Sequence, residues 1–421
     1  MKNPPGGKYN KRQTQTAKTF EMLRFYTAGE SHGKELLGII EGVPSGLALS
    51  AADIDSELKR RQKGYGRGGR MKIESDHAEI VCGVRQGFTT GAPIGLVIEN
   101  RDWANWRRIM SAEPAAGETP QAVEKLRITR PRPGHADLPG ALKYARKDIR
   151  DILERASARE TAMRVALGAV AKKLLSEFGI QTGSFVFQIG REALLMETDV
   201  SAFGASALAR LAKKAKGSAL RCPDPAAEAK MKSLIDEAAG AGDTLGGRFT
   251  VFVTGLPPGL GSHTQWDRRL EGRLAQALMS IQAVKAVELG GGIGLAASFG
   301  SQVMDEIFYS KRKGFYRRTN RMGGIEGGMT NGEPLVAHAA MKPIPTLKNK
   351  KALRSVDILT KKPFRAAYER SDVCAVPAAA VIAEGMCALV CAGALLEKTG
   401  GDSIGETRRN YDAYVKYLAD F

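Results

Sequence analysis

Aromatic residues are scarce in this 421-residue chain, at 6%, and acids are outnumbered, with 45 Asp and Glu against 63 Lys and Arg. The five cysteines (82, 222, 374, 387 and 391) show no Cys-x-x-Cys or Cys/His ligand spacing. A disulfide framework and a zinc site are therefore not expected, Cys387 and Cys391, four apart in an Ala-rich helix, read as small buried hydrophobes, and a reducing cytoplasm fits. The N-terminal residues lack the apolar core of a signal peptide. Residues 1–21 are expected to form a disordered basic tail. The one long apolar run, 375–396, holds Pro377, a central Glu384 and two glycines, which fits a buried core helix better than a membrane span. No Walker A, HExxH, GxSxG or EF-hand pattern occurs, so nothing supports a Ser/His/Asp hydrolase.

What the chain has in abundance is glycine, 48 residues, and positive charge, +18 net. The glycines point to tight turns and close backbone approaches. The charge points to an anionic partner. Charged residues at 26% and hydrophobic residues at 43% are ordinary for a globular protein and exclude wholesale disorder. The length suffices to bury a sizeable core.

Strands are predicted at 23–28, 36–43, 80–84, 93–100, 184–190, 248–256 and 334–341. Helices are predicted from the capping signal Ser50…Asp53 to about Gln62 and from the box Ser157-Ala-Arg-Glu160 to Phe178. Two more are predicted from near Asp267, with Leu270, Leu274, Leu278 and Ile281 on one stripe, and from Pro377. Two turn motifs repeat, GVPSGL at 42–47 and GLPPGL at 255–260, each ending a strand before a helix. The helix after Arg155-Ala-Ser157 is echoed by the helix after Arg370-Ser-Asp372. The expectation is one α/β domain over 22–421, built from two related halves at about 22–235 and 236–400.

Four clusters carry chemistry. Gly29-Glu30-Ser31-His32-Gly33 follows a strand, where α/β proteins bind ligands. The run 59–72 (KRRQKGYGRGGRMK) has seven basic residues and no acid. Its Gly-x-Gly-x-x-Gly follows a charged helix end, which argues against a dinucleotide fold and for an arginine-bearing loop around an anion. In Arg130-Pro-Arg132-Pro-Gly134-His135-Ala-Asp137, two prolines stiffen the chain and place Arg132 and His135 as a rigid pair. The fourth cluster joins Lys342-Pro343-Ile344-Pro345-Thr346 to Arg370-Ser371-Asp372, with glycine runs at 290–294 and 323–328.

Taken together, GESHG (29–33), RRQKGYGRGGRMKIE (60–74), RPGHADL (132–138), SARETAMRV (157–165), GSQVMDEI (300–307), GGIEGGMTNG (323–332), MKPIPT (341–346) and RSD (370–372) resemble the chorismate synthase family, bacterial type, over about residues 22–400. The resemblance implies a β-α-β sandwich with central helices between two mainly antiparallel sheets, an internal pseudo-duplication and a homotetramer. It implies elimination of phosphate from 5-enolpyruvylshikimate 3-phosphate to give chorismate, using reduced FMN without net redox. It leaves room for NADPH as an indirect reductant and for a separate flavin reductase.

By the same resemblance, His32, His135 and Asp372 are the catalytic groups: His32 protonates the departing phosphate, His135 protonates the reduced flavin, and Asp372 assists proton removal. Ser31, Arg61, Arg67, Arg70, Arg132, Arg159 and Arg370 are expected at the substrate. Arg155, Ala156, Ser157, Gln282, Ala283, Gly327, Lys342 to Thr346 and Arg370 are expected at the flavin. Arg61 and Arg67 also match positions that take a nicotinamide, and the substrate is favoured for them. Ala156, Gln282 and the Val373-Cys374 pair depart from the common pattern. A nucleic-acid binder would share the basic runs 59–72 and 311–321, but no recognition module accompanies them. Neither a nucleic-acid nor a membrane partner is expected.

Overall fold

Alternating runs become two antiparallel sheets. In the computed structural model, residues 22–68, 75–113, 125–194, 204–348, 351–366 and 372–421 are described. The first sheet contains β1 (Arg24–Ala28), β2 (Glu35–Glu41), β3 (Glu79–Cys82) and β4 (Ile94–Glu99), in the order β1-β2-β4-β3. The second contains β5 (Gln181–Ile189), β6 (Glu192–Ala193), β7 (Gly247–Thr254), β8 (Val284–Leu289) and β9 (Leu335–Met341), in the order β8-β9-β7-β5-β6. All seven predicted strands form. The sequence reading missed β8, whose VKAVEL has little period-2 contrast and runs directly into glycines.

Helix α1 (Ala51–Gln62) starts on the predicted signal: the Ser50 side chain accepts from the Asp53 N–H, and Asp53 returns a bond to the Ser50 N–H. Short helices α2 (Trp103–Met110), α3 (Asp137–Lys143) and α4 (Arg150–Ala156) follow. Helix α5 (Thr161–Glu177) begins later than its box suggests. Ser157 caps only a single 3-10 turn, because the Glu160 side chain is drawn into contacts with Thr27, Arg164 and Gln282 instead of folding back. Helices α6 (Ala205–Gly217), α7 (Pro225–Ala241) and α8 (Leu270–Met279) precede α9 (Val376–Thr399) and α10 (Ile404–Asp420).

Helices α5 and α9 lie between the sheets. The former packs on β2 and β4, the latter on β5 and β7, and the two pack on each other. Helix α9 is the long apolar run, and 94% of its most hydrophobic window is buried in the core. The helices cross at two glycines. A Cβ on Gly168 would meet the Gly385 Cα at 2.5 Å, so only glycine permits this approach.

Both sheets repeat one plan: two strands, a helix, two strands, a helix, with spatial order first-second-fourth-third. In the second sheet these are β5, β7, β9 and β8, with β6 added at the edge. GVPSGL and GLPPGL occupy the same place in each, after the second strand and before the helix (α1 or α8). The sheets divide the chain at 178–180, whereas the sequence motifs had suggested a break near 235. Strand β5 pairs with β7 and so goes with the second half.

One buried ionic cluster ties the layers together. Glu384, fully buried on α9, accepts from the two terminal guanidinium nitrogens of Arg60 (2.7 Å each), from Lys172 (2.8 Å), from Arg221 (2.9 Å) and from the Ser184 hydroxyl (2.6 Å). Burial alone would raise this carboxyl, but the three cations outweigh it and hold it well below the usual carboxylate range.

Candidate functional site

The turn after β1 delivers Ser31 and His32 to α4. The Ser31 N–H donates to the Glu154 carbonyl (3.0 Å), and the His32 N–H donates to the Glu154 carboxyl (2.9 Å). The imidazole Nδ1 lies 3.0 and 2.9 Å from the two Glu154 oxygens. Its ring stacks on Trp106 of α2, with centroids 3.8 Å apart. Arg150 donates to Glu154 Oε1 at 3.4 Å.

From Ser31 a chain of contacts runs across the site. The Ser157 hydroxyl donates to the Ser31 hydroxyl (3.2 Å), and Ser157 also caps the turn that carries Arg159. Arg159 donates to the Asn100 side chain (2.9 Å) and pairs with buried Asp76. Arg61, at the end of α1, donates to Thr161 (3.0 Å) and to the Ala158 carbonyl (2.9 Å). Its Nη1 lies 3.6 Å from Asp76 and makes no hydrogen bond among the described residues, although it is buried. Burial pushes this guanidinium down to about 10; Asp76 opposes that, while Arg67 and Arg159 add to it. Three arginines around an unsatisfied N–H make a site that an anion would relieve.

Arg67 stands on the glycine loop and pairs with Asp372 (3.2 Å), whose other oxygen accepts the Gly68 N–H (2.7 Å). The loop backbone is fixed as well, since the Gly66 carbonyl accepts the Val373 N–H (2.9 Å). Gly66 has φ +77°, and a Cβ there would meet Ile235 at 2.9 Å, so the loop needs glycine at this position.

The second centre lies on the proline-stiffened segment. Asp137, at the start of α3, accepts from Arg132 Nε (2.8 Å), from the Arg132 N–H (3.0 Å) and from His135 Nδ1 (2.5 Å). Burial would raise Asp137, but the bonds from His135 and Arg132 prevail and hold it well below the usual carboxylate range. The Arg132 guanidinium lies 3.1 Å from the His135 ring and donates to Thr346 (3.4 Å). That places the MKPIPT segment beside His135. The segment is anchored by the Lys342 N–H on the Ala283 carbonyl (2.9 Å) and by Thr244 on the Ile344 carbonyl (2.7 Å). Burial and the neighbouring Lys285 lower the Lys342 ammonium.

Gln282 links the two centres by donating to Glu160 (3.1 Å), next to Arg159. Its buried Oε1 has no partner among the described residues. An orphaned acceptor beside Ala283, Lys342 and Thr346 fits a flavin, whose ring imide offers an N–H and whose phosphate takes cations.

Not every expected residue converges here. The Arg155 side chain is engaged by the Thr27 and Gly29 carbonyls (2.8 and 3.0 Å), at the end of β1. Gly327 sits in the hairpin before β9, and Lys342 directly follows that strand. Arg70 and Arg370 lie outside the described residues, as does the tail 1–21. Sequence reasoning overlooked Glu154, Asp76, Asn100 and Trp106. None stands in a motif, and each gains its part only by reaching a motif residue across the fold.

A family model described as chorismate synthase matches residues 23–396. The chorismate synthase of Aquifex aeolicus is 56% identical, over 95% of this chain and 99% of its own length. That of Pelobacter propionicus is 57% identical, over 94% and 99% respectively. A solved structure titled "Crystal Structure of Chorismate Synthase" superposes with TM-score 0.76 at 46% identity, covering 95% of this chain and 99% of its own.

Proposed function

This chain belongs to the chorismate synthase family, carbon–oxygen lyases acting on phosphate, and on that premise we propose that it eliminates phosphate from 5-enolpyruvylshikimate 3-phosphate to form chorismate, with reduced FMN and no net redox. The observation that carries this reading is the cluster of Arg61, Arg67 and Arg159, with His32 reached through Ser31 and Ser157 on the Arg159 side and Asp372 paired with Arg67 on the other, which sets an imidazole and a carboxylate on either side of the arginines. The substrate bears two carboxylates and a phosphate. Arg61, Arg67 and Arg159 bind and orient these anions, and Arg61 Nη1, 3.6 Å from Asp76 and without a hydrogen bond among the described residues, gains one.

His32 protonates the departing phosphate, and loss of the ring proton completes a 1,4-anti elimination. Reduced FMN, when bound, supplies at N5 the acceptor for that proton and is not consumed. Asp372 steadies the glycine loop and assists that transfer. Gln282, Ala283 and Lys342 to Thr346 hold the flavin, and His135 keeps its reduced ring protonated. The homotetramer, a separate flavin reductase, NADPH as indirect reductant and a cytoplasmic setting belong to the same proposal. So does placing Gly327 at the flavin.

The test is anaerobic incubation with chemically reduced FMN and the phosphorylated enolpyruvyl substrate. Equimolar phosphate and chorismate with no net flavin oxidation is the expected outcome. Absence of product from folded, FMN-binding protein would refute the assignment of the reaction.

A further inference from the structure

We propose that Glu154 is the positioning residue that sets the tautomer of His32. Its carboxyl holds the hydrogen on Nδ1, so the exchangeable proton is carried and delivered by Nε2. This inference rests on reading His32 as the proton donor, but its structural half stands apart from the reaction.

An ionised carboxyl can only accept, so the imidazole nitrogen at 2.9–3.0 Å from both Glu154 oxygens must carry the hydrogen. Free histidine has no such constraint. Glu154 is almost wholly buried, its side chain 1% exposed, while that of His32 is 17% exposed. The carboxyl is thus shielded from water and the ring keeps an open side. The grip is more than one bond, because Glu154 also holds the N–H groups of Ser31 and His32, fixing the backbone that carries the ring. Trp106 covers one ring face, and Asp102 in turn holds the indole N–H at 3.0 Å.

Among the described residues, Arg150 donates to the same carboxyl at 3.4 Å. At His135 the carboxylate is shared with Arg132, at 2.8 and 3.1 Å, and the guanidinium lies against the ring, whereas at His32 both carboxylate oxygens face Nδ1. In the proposed step, the Nε2–H bond breaks and its proton goes to a phosphate oxygen as the carbon–oxygen bond opens. His32 is left neutral with Nδ1–H still on Glu154.

The measurement is NMR of histidine-labelled chain without substrate, the His32 signal being identified by its loss in His32→Gln. There are five histidines in all, so assignment is tractable. At high pH the nitrogen shifts should report Nδ1 protonated and Nε2 bare. In folded Glu154→Leu, which offers Nδ1–H no acceptor, the neutral ring should no longer be held to the Nδ1–H tautomer, and kcat should fall about tenfold or more with FMN affinity unchanged. A neutral His32 protonated on Nε2 in the native chain would overturn the proposal, and this needs no variant to fold. So would an unchanged tautomer in folded Glu154→Leu. If the chain makes no chorismate but shows the expected tautomer and its change in the variant, the reaction assignment fails and the Glu154 assignment holds.

Discussion

At His135 the imidazole, its carboxylate and its arginine lie within six residues of sequence, so one motif contains the whole local charge arrangement. At His32 the equivalent carboxylate is 122 residues away, and only folding reveals it. Replacing either histidine tests this scale. His32→Gln should lower kcat by roughly 10²–10⁴-fold, the usual worth of a positioned acid, while leaving FMN affinity unchanged. Steady-state kinetics with reduced FMN, alongside flavin titration, separates those effects. Asp137→Asn should destabilise the fold by about 3–5 kcal/mol, because Arg132 would remain buried without its carboxylate. Denaturant unfolding at pH 7 measures that loss.

Among the elements, α5 and α9 decide where the site lies. Their close crossing lets Thr161, at the start of α5, reach Arg61, and sets Asp372 just before α9 against the glycine loop. The two crossing glycines are not equivalent. A Cβ on Gly168 would meet backbone at 2.5 Å, whereas one on Gly385 finds its nearest neighbour at 3.5 Å. Gly168→Ala should therefore cost about 1–3 kcal/mol by overpacking. Gly385→Ala should be near neutral, since ordinary contact is offset by the roughly 1 kcal/mol gain in helix propensity. Thermal unfolding of the pair checks the asymmetry. Glu384→Gln, which leaves Arg60, Lys172 and Arg221 facing one another, should cost about 3–5 kcal/mol in the same assay.

For the whole molecule, buried ionisable groups set the pH range of stability. His338, buried on β9 against Thr250 and Phe187, is pushed down to about 4 by burial and by Arg248. The unfolded chain takes up that proton near 6.5 and the native chain does not, so stability falls as pH drops from 6.5 towards 4. Asp137 and Glu384 lie below their ordinary values of 3.8 and 4.5. Their contribution is full above those values and is lost as pH falls further. Urea unfolding should show a decline between pH 7 and pH 5 in the native chain that is smaller in His338→Gln, followed by a steeper loss below pH 4.5 in both.

Local pattern alone determined much of this protein. Seven strands, the Ser50 cap, the core character of 375–396 and the repeated turn motifs could all be read from periodicity and capping chemistry, which act over a few residues. Individual candidate site residues were legible because glycine, proline, arginine and histidine cluster in short motifs. The partners of those residues were not. Glu154, Asp76, Trp106 and Asn100 carry no local signature, since a carboxylate or an indole becomes part of a site only through what the fold sets beside it. The place of β5 in the second sheet was likewise decided by pairing with β7 across more than sixty residues, and strand pairing at that separation leaves no mark on local sequence.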